Sequence, residues 1–185
     1  AIASDSIQQM VSQIRDNLEA QEATITLRFP YFVTKSAPVT SMEGQMDYNC
    51  KLTATINSNR FNLITEVTVP VTSLCPCSKE ISDRGAHNQR SRITIAVRSK
   101  GEHIWADDLI QVAEESASAP LYSLLKRPDE KFVTEQAYDN PVFVEDLVRA
   151  VASRLQDDSR IDWFHVRSVN EESIHNHNAF AEIIS

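Results

Sequence analysis

Two runs of alternating residues constrain the fold of this chain more than any other feature. The first extends from Phe61 to Val71 and the second from Arg92 to Val97, and in both runs apolar residues recur at about every second position. Side chains two positions apart lie on the same face of a strand, so each run predicts a strand with one buried face. We expect the second strand to be the antiparallel partner of the first.

The same reasoning, applied along the whole chain, predicts an α+β protein. Apolar residues at helical spacing predict helices at residues 5–22, about 106–127 and about 140–155. Alternating or β-rich segments predict strands at about 25–34, 48–57, 61–71, 92–97, 161–169 and 177–184.

Two prolines bear on the helix boundaries. Pro120 lies inside the second predicted helix, where its ring removes a backbone hydrogen bond, so we expect it to kink that helix or end it early. Asn140 and Pro141 match an N-cap residue followed by proline at the first helical position. We therefore expect the third helix to begin there.

The order of the predicted elements suggests an internal repeat. From residue 60 onward the order is strand, strand, helix, helix, strand, strand, and the preceding helix, strand, strand matches the second half of that unit. This predicts a partial first module over residues 1–58 and a second module over 59–185 that carries most of the candidate site. Such strand pairs imply an antiparallel sheet with helices on one face, whose open edges would be covered in an oligomeric barrel.

Composition excludes several classes of protein. The net charge of −8 argues against a general nucleic-acid binder, and no apolar run approaches membrane-spanning length. Three cysteines do not suit a disulfide framework and favour a reducing cytoplasm. With only three glycines and no phosphate-binding glycine loop, neither a Rossmann nor a Walker site is credible. The chain opens with Ala1 directly in a helical pattern, which we interpret as part of a longer protein.

The segment CPCSKEISDRGAHNQR, residues 75–90, concentrates the side chains that carry chemistry. Cys75 and Cys77 follow a strand end, and His87 lies ten residues beyond Cys77 in a polar loop. Thiolate and imidazole groups bind transition metals or attack electrophiles at neutral pH. Cys-x-Cys is shorter than the usual zinc knuckle and would place both sulfurs on one side of an extended segment. A reactive metal site and a pair of half-buried cysteines both remain open from this pattern alone.

Carboxylates and histidines form further candidates. Along a strand, His175 and His177 would point to the same face, with Glu172 nearby, whereas a solvated hairpin loop is the alternative. Glu130 lies in a charged run that fits either a helix–helix loop or a carboxylate ligand completing a mixed catalytic metal set. Glu145, early in the third predicted helix, by itself fits a solvated face or a partner of the helix dipole.

Three strings resemble the type IB GTP cyclohydrolases, enzymes of folate and archaeal pterin synthesis: CPCSKEISDRGAHNQR, LLKRPDEKFVTEQAYDNPVFVEDLVR and ESIHNHNAFAEI. The likeness extends from about Phe29 to the C-terminus. It implies the tunnelling fold (T-fold), in which tandem ββααββ modules assemble into homotetrameric barrels, in agreement with the module order above. The first module would then lack its opening strands and helix.

The resemblance also implies a reaction, the cytoplasmic conversion of GTP and water to formate and 7,8-dihydroneopterin triphosphate. A water activated by a divalent ion (Mn, Zn or Fe) would attack C8 of the guanine. The implied metal ligands are Cys75, His87 and Glu130. The implied catalytic residues are Cys77, Glu172 and His175. The implied substrate-binding residues are Glu145 for the guanine edge and Lys79, Arg90 and Lys131 for the triphosphate.

Two alternatives belong to other functional classes. An NADPH-dependent nitrile reductase of the same fold would use Cys77 as a nucleophile but would not need His87, His175 and a carboxylate around a metal. A non-catalytic module, joined into an oligomer by its metal, would lose its fold or its assembly on chelation. The resemblance favours the cyclohydrolase, as a homotetramer that binds GTP and neither nucleic acid nor a membrane.

Overall fold

The computed structural model of the chain describes residues 4–57, 60–101 and 103–185. Its helices are α1 (Ser4–Asn17), α2 (Pro76–Ile81), α3 (Ala106–Ser116), α4 (Arg127–Asp139) and α5 (Val144–Asp157). Its strands are β1 (Glu22–Ser36), β2 (Glu43–Asn57), β3 (Phe61–Leu74), β4 (Asn88–Ser99), β5 (Ala119–Pro120), β6 (Ile161–Asn170) and β7 (Ala179–Ile184).

The strands of the described residues form one antiparallel sheet, so the chain is α+β as predicted. The strand order is β1-β2-β3-β4-β6-β7, and the short β5 pairs with β3 beyond the end of β2. The predicted antiparallel pairing of β3 with β4 is confirmed, with Val67 opposite Ile95. The predicted boundary between two modules falls at residues 58–59, which lie outside the described residues, and the division into modules stays a prediction.

The core lies on one face of this sheet, where the helices pack. Val69 of β3 and Ile95 of β4 are fully buried against Leu109 of α3 and Leu147 of α5. The helix α1 covers the β1–β2 end of the same face through Ile7. Removing each such side chain from water contributes on the order of 1.5–3 kcal/mol, which is why the alternating pattern determines which face is inside. No helix among the described residues is both long enough and apolar enough to span a membrane.

The buried face becomes polar at the end of the sheet that carries the cysteine segment. Ser73, Ser91 and Asn170 lie on β3, β4 and β6, and all three are almost fully buried. The Ser91 hydroxyl donates to Asn170 Oδ1 at 2.5 Å, and the Asn170 amide donates to Ser73 Oγ at 3.3 Å. Buried polar groups are normally hydrogen-bonded, and these two bonds join the end of β3, the start of β4 and the end of β6. The cysteine segment and the β6–β7 loop are attached to these strand ends.

The second predicted helix is shorter than expected. The helix α3 ends at Ser116 and not near Arg127, and Ala119–Pro120 forms β5 instead. The expectation that Pro120 ends this helix early is thus correct, and the predicted extent to residue 127 is wrong. A proline is tolerated in β5 because this short strand pairs with β3 on one side only. The backbone N–H that proline lacks is not needed for a hydrogen bond on the other side.

The third predicted helix begins later, because an additional helix precedes it. Asn140 ends α4, donating its side-chain amide to the Gln136 carbonyl at 2.8 Å, and α5 begins only at Val144. The residue before a proline disfavours helical geometry, which accounts for the end of α4 before Pro141. The predicted start at Asn140 is therefore wrong. The helix α4 escaped detection because only two of its residues are buried.

Candidate active site

Cys75 is the N-cap of α2. Its Sγ accepts a hydrogen bond from the Ser78 N–H at 3.5 Å, and Pro76 occupies the start of the helix, where its missing N–H is not needed. Cys77 lies in the first turn and is exposed, whereas Cys75 is partly buried. The expectation that both sulfurs lie along an extended segment is wrong, because a helix begins between them.

The backbone brings His87 beside Cys75. The Cys75 N–H donates to the His87 carbonyl at 3.1 Å. The His87 N–H donates to the Ser78 hydroxyl at 3.2 Å, and that hydroxyl donates to the Cys75 carbonyl at 3.1 Å. Ser78 therefore closes the loop at its base, and two residues that lie twelve positions apart in the sequence become neighbours.

The imidazole of His87 contacts the strand that follows it and the loop after β6. Its Nδ1 lies 2.9 Å from Gln89 Oε1 and 3.4 Å from Ser173 Oγ. Its ring centroid is 6.4 Å from that of His175, edge to face, and the His175 ring stacks on His177 with centroids 5.1 Å apart. Both of these histidines are exposed and lie in the loop between β6 and β7, so of the two alternatives the solvated hairpin loop is correct and the placement on a strand is wrong. The predicted proximity of the two rings is nevertheless present.

Glu130 and Glu172, the two carboxylates assigned to the metal and to catalysis, have different surroundings. Glu172 is partly buried in the β6–β7 loop. Glu130 is exposed in the first turn of α4 and forms an ion pair with Arg127 at 3.7 Å. Across the described parts of the chain, no three His, Cys, Asp or Glu side chains are grouped so as to hold a metal ion. The structure thus brings Cys75 and His87 together without forming a group of three with Glu130.

Asp129, beside Glu130, is a buried residue that sequence reasoning missed. Its carboxylate accepts hydrogen bonds from the Thr40 hydroxyl at 2.7 Å and from the N–H groups of Val39, Thr40 and Lys126, each at 2.9 Å. Burial alone would raise the pKa of Asp129, but these four bonds outweigh it and hold the pKa well below its ordinary value. Asp129 therefore fastens the start of α4 to the β1–β2 turn.

The side chains of the predicted substrate-binding residues differ in whether they already have a partner in the protein. Glu145 is exposed in the first turn of α5, and no hydrogen bond or ion pair engages its side chain within the described residues. Lys79 donates to the Tyr138 carbonyl and lies 4.2 Å from the centre of the Tyr138 ring. Lys131 forms a 3.7 Å ion pair with Glu135 on the surface of α4.

Arg90 occupies a different position, on the open face of the sheet. It lines a cavity of about 430 Å³ between β4 and α4, together with Gln89 and Thr134. It also lines a neighbouring cavity of about 340 Å³, together with Arg92. Two guanidinium groups thus border adjoining cavities, one of which is also lined by Gln89, whose side chain contacts His87.

Gln89 is the second residue that sequence reasoning missed, although a signal was present. Gln89 has the same parity as the buried residues Ile93 and Ile95, so the alternation of β4 directs it inward. It is only 8% exposed. A polar side chain at an inward position of a strand is a sign that it has a specific partner, which here is His87.

Comparisons with known proteins identify similar chains. A family model described as GCHY-1, type I GTP cyclohydrolase folE2, matches residues 1–181. Among curated relatives, the GTP cyclohydrolase FolE2 of Nitrosococcus oceani is 53% identical over 178 residues, covering 96% of this chain and 66% of the relative. That of Magnetococcus marinus is 50% identical over 183 residues (99% and 69%), and that of Desulfosudis oleivorans is 52% identical over 175 residues (94% and 67%). The chain spans about two thirds of the length of these relatives.

Proposed function

The chain belongs to the type I GTP cyclohydrolase FolE2 family, and we propose that it hydrolyses GTP to formate and 7,8-dihydroneopterin triphosphate in folate synthesis. The observation that carries the proposal is the pairing of Cys75 with His87 through the Ser78 hydroxyl and the backbone. The family match spans both residues. It also favours this reaction over the nitrile reductase and the non-catalytic oligomerisation module.

Cys75, His87 and Glu130 are the residues that would hold a divalent metal ion. A thiolate and an imidazole suit zinc or iron, and an added carboxylate makes manganese acceptable. These donor types fit such an ion, and Cys75 and His87 are already neighbours. When bound, the ion polarises water and makes it a nucleophile at neutral pH.

The remaining catalytic work is the movement of protons. Water adds to C8 of the guanine, and the C8–N9 bond breaks as N9 gains a proton, which leaves a formamide. A second water hydrolyses the formamide and formate leaves; the freed amine then condenses with the rearranged ribose carbons and releases one water, so that one water is consumed overall. His175, whose ring faces His87, transfers these protons, with Glu172 beside it as the acceptor. Cys77, exposed in the first turn of α2, is the second cysteine of the site and contacts the reacting base. Groups in these roles contribute about 10²–10⁴-fold in rate.

Glu145 and the basic residues bind the two ends of GTP. The Glu145 carboxylate accepts hydrogen bonds from guanine N1–H and the 2-amino group, which are both donors. Arg90, Lys79 and Lys131 bind the triphosphate. Arg90 has the most suitable position because it lines both cavities, and its guanidinium can bind phosphate oxygens in pairs.

Assembly into a T-fold barrel would complete the site. Among the described strands, β1 and β7 are the two edges of the sheet. Unpaired edges of this kind associate with other strands, so we infer a homotetramer in which edges of neighbouring protomers pair. The free thiols favour a cytoplasmic enzyme, and the acidic chain has neither nucleic acid nor a membrane as a partner.

The test is a direct assay of the products. The protein is incubated with GTP and Mn²⁺, Zn²⁺ or Fe²⁺, and formate and a fluorescent oxidised pterin are measured. We expect both products in equal amounts, with turnover lost on chelation. If neither product appears with any of the three ions, the proposed reaction is wrong.

Two variants and a matched control test the assigned roles. We expect Cys77→Ala and Glu145→Gln to reduce turnover by about 10²-fold or more while metal content is retained. Asp146→Asn is the control, because Asp146 is also exposed in the first turn of α5 but pairs with Arg149 at 2.6 Å. Equal turnover in the Glu145 and Asp146 variants would remove Glu145 from the guanine site.

A further inference from the structure

We propose that Gln89 is a positioning residue that sets the ring orientation and the tautomer of His87. The proposal rests on the proposed function, since it concerns the atom that His87 presents to the metal. Gln89 lies on β4, two residues after His87, and is paired in the sheet with Ser73. Its side chain is 8% exposed, and its Oε1 lies 2.9 Å from His87 Nδ1.

The main chain of His87 is already held in place, which leaves only its ring to be oriented. The His87 N–H donates to Ser78 and its carbonyl accepts from Cys75. Rotation of the imidazole by about half a turn about the Cβ–Cγ bond would then exchange Nδ1 with Cδ2, and Nε2 with Cε1, without moving the backbone. A contact made with one specific ring nitrogen determines which of these orientations is populated.

The Gln89 contact provides that selection. A carbonyl oxygen can only accept, so Nδ1 carries the proton and Nε2 is left with its lone pair for a metal ion. The Ser173 hydroxyl also lies near Nδ1, but at 3.4 Å and from an exposed loop. Gln89 is closer and comes from a paired strand in the interior, so it is the contact that orients the ring. Mutation of a residue that accepts a hydrogen bond from the second ring nitrogen of a metal-binding histidine typically weakens metal affinity by about 10–100-fold.

The first test reads the tautomer in the metal-free protein, without GTP. With ¹⁵N-labelled histidine at mildly alkaline pH, long-range ¹H–¹⁵N spectra distinguish a protonated from an unprotonated ring nitrogen. The His87 signals are assigned by their loss in His87→Asn. We expect the proton on Nδ1 in the wild type and in Gln89→Glu, and a shift toward Nε2 protonation in Gln89→Met, which keeps the volume but not the acceptor. A wild-type His87 with its proton on Nε2 overturns the proposal.

The second test measures Zn²⁺ affinity by competition with a chromophoric chelator. We expect Gln89→Met to weaken binding by about 10–100-fold and Gln89→Glu to restore it. Ser173→Ala, which removes only the longer contact, should bind Zn²⁺ as the wild type does. If Gln89→Met does not fold, Gln89→Asn, which keeps the amide but shortens the side chain by one methylene, takes its place and should weaken binding whereas Ser173→Ala does not. Unchanged affinity in folded Gln89→Met contradicts the proposal, whereas the expected tautomer without GTP turnover contradicts only the proposed function.

Discussion

Replacing Lys35 by methionine should strongly destabilise the protein, because it leaves the largely buried carboxylate of Glu114 without its cation. Lys35 Nζ lies 2.7 Å from Glu114 Oε1, and the two side chains are 13% and 15% exposed. Nζ also donates to the Leu121 carbonyl at 2.8 Å and lies 4.5 Å from the centre of the Tyr122 ring. The pair joins β1 to α3, which belong to different predicted modules.

The expected loss in the free energy of unfolding follows from the burial of this ion pair and from the bond that Glu114 keeps. Removing one partner of a buried ion pair costs about 3–5 kcal/mol, whereas methionine keeps most of the packing of the lysine stem. The Tyr48 hydroxyl still donates to Glu114 Oε1 at 2.9 Å, so the lower end of the range, about 3 kcal/mol, applies. For a chain of this size about 1 kcal/mol corresponds to about 2–4 °C, so the Tm should fall by about 6–12 °C.

The assay is urea unfolding followed by circular dichroism, at one fixed protein concentration, because the proposed assembly would make the measured stability depend on concentration. Glu114→Gln and the double variant complete a double-mutant cycle, in which we expect a coupling energy of about 1–3 kcal/mol. The exposed pair Arg149–Asp146, with side chains 67% and 56% exposed, is the control and should contribute less than about 1 kcal/mol. If Lys35→Met has no larger effect than Arg149→Met, or if the two single effects simply add, the reasoning is refuted.

Three further predictions concern groups whose pKa the fold displaces. Burial, with a smaller effect of Asp107, raises the pKa of the Cys50 thiol to about 11, so at about pH 8 a thiol reagent should label Cys77 at once and Cys50 only on unfolding. Rapid labelling of Cys50 in the folded protein would contradict this. A hydrogen bond to Asp107, together with burial, raises the pKa of Tyr31 to about 12. The stability that this bond contributes is therefore full below about pH 10 and is lost toward pH 12, and Asp107→Asn should bring the tyrosinate absorbance change of Tyr31 back to lower pH. The pKa of Asp129 is lowered, so its contribution is full above about pH 4 and is lost as the carboxylate is protonated in stronger acid. The difference in urea stability between wild type and Asp129→Asn should stay constant from neutral pH down to about pH 5 and then narrow; a difference that grows in acid would refute the assignment.

The elements that sequence reasoning predicted well are those with a regular buried face. The alternation of Val67, Val69 and Val71 places β3 correctly, because a strand with one buried face imposes a period of two on its residues. The helix α5 has a continuous buried stripe and was likewise detected, although its start was not. The helix α4 has no such stripe, so periodicity could not reveal it.

For the site, the residue types in the sequence indicated the chemistry, but the contacts around those residues could not be predicted. Two cysteines and a histidine within one polar segment indicated reactive chemistry, because few side chains bind metals or attack electrophiles at neutral pH. That Cys75 begins a helix depends on Ser78, whose backbone N–H reaches the sulfur and whose hydroxyl also binds His87. This arrangement forms because the chain after α2 returns to the start of that helix, and no local pattern in the sequence predicts such a return.

The amino-acid sequence by itself determined the class of fold, the paired strands and the family, because burial periodicity and long matching strings are local properties of the chain. Only the tertiary structure decided that Asp129 is a buried anchor while its neighbour Glu130 is exposed, and that Gln89 meets His87. The reason is physical: whether a polar group is solvated or held in the interior depends on partners distant in sequence, such as Thr40 for Asp129, 89 residues away.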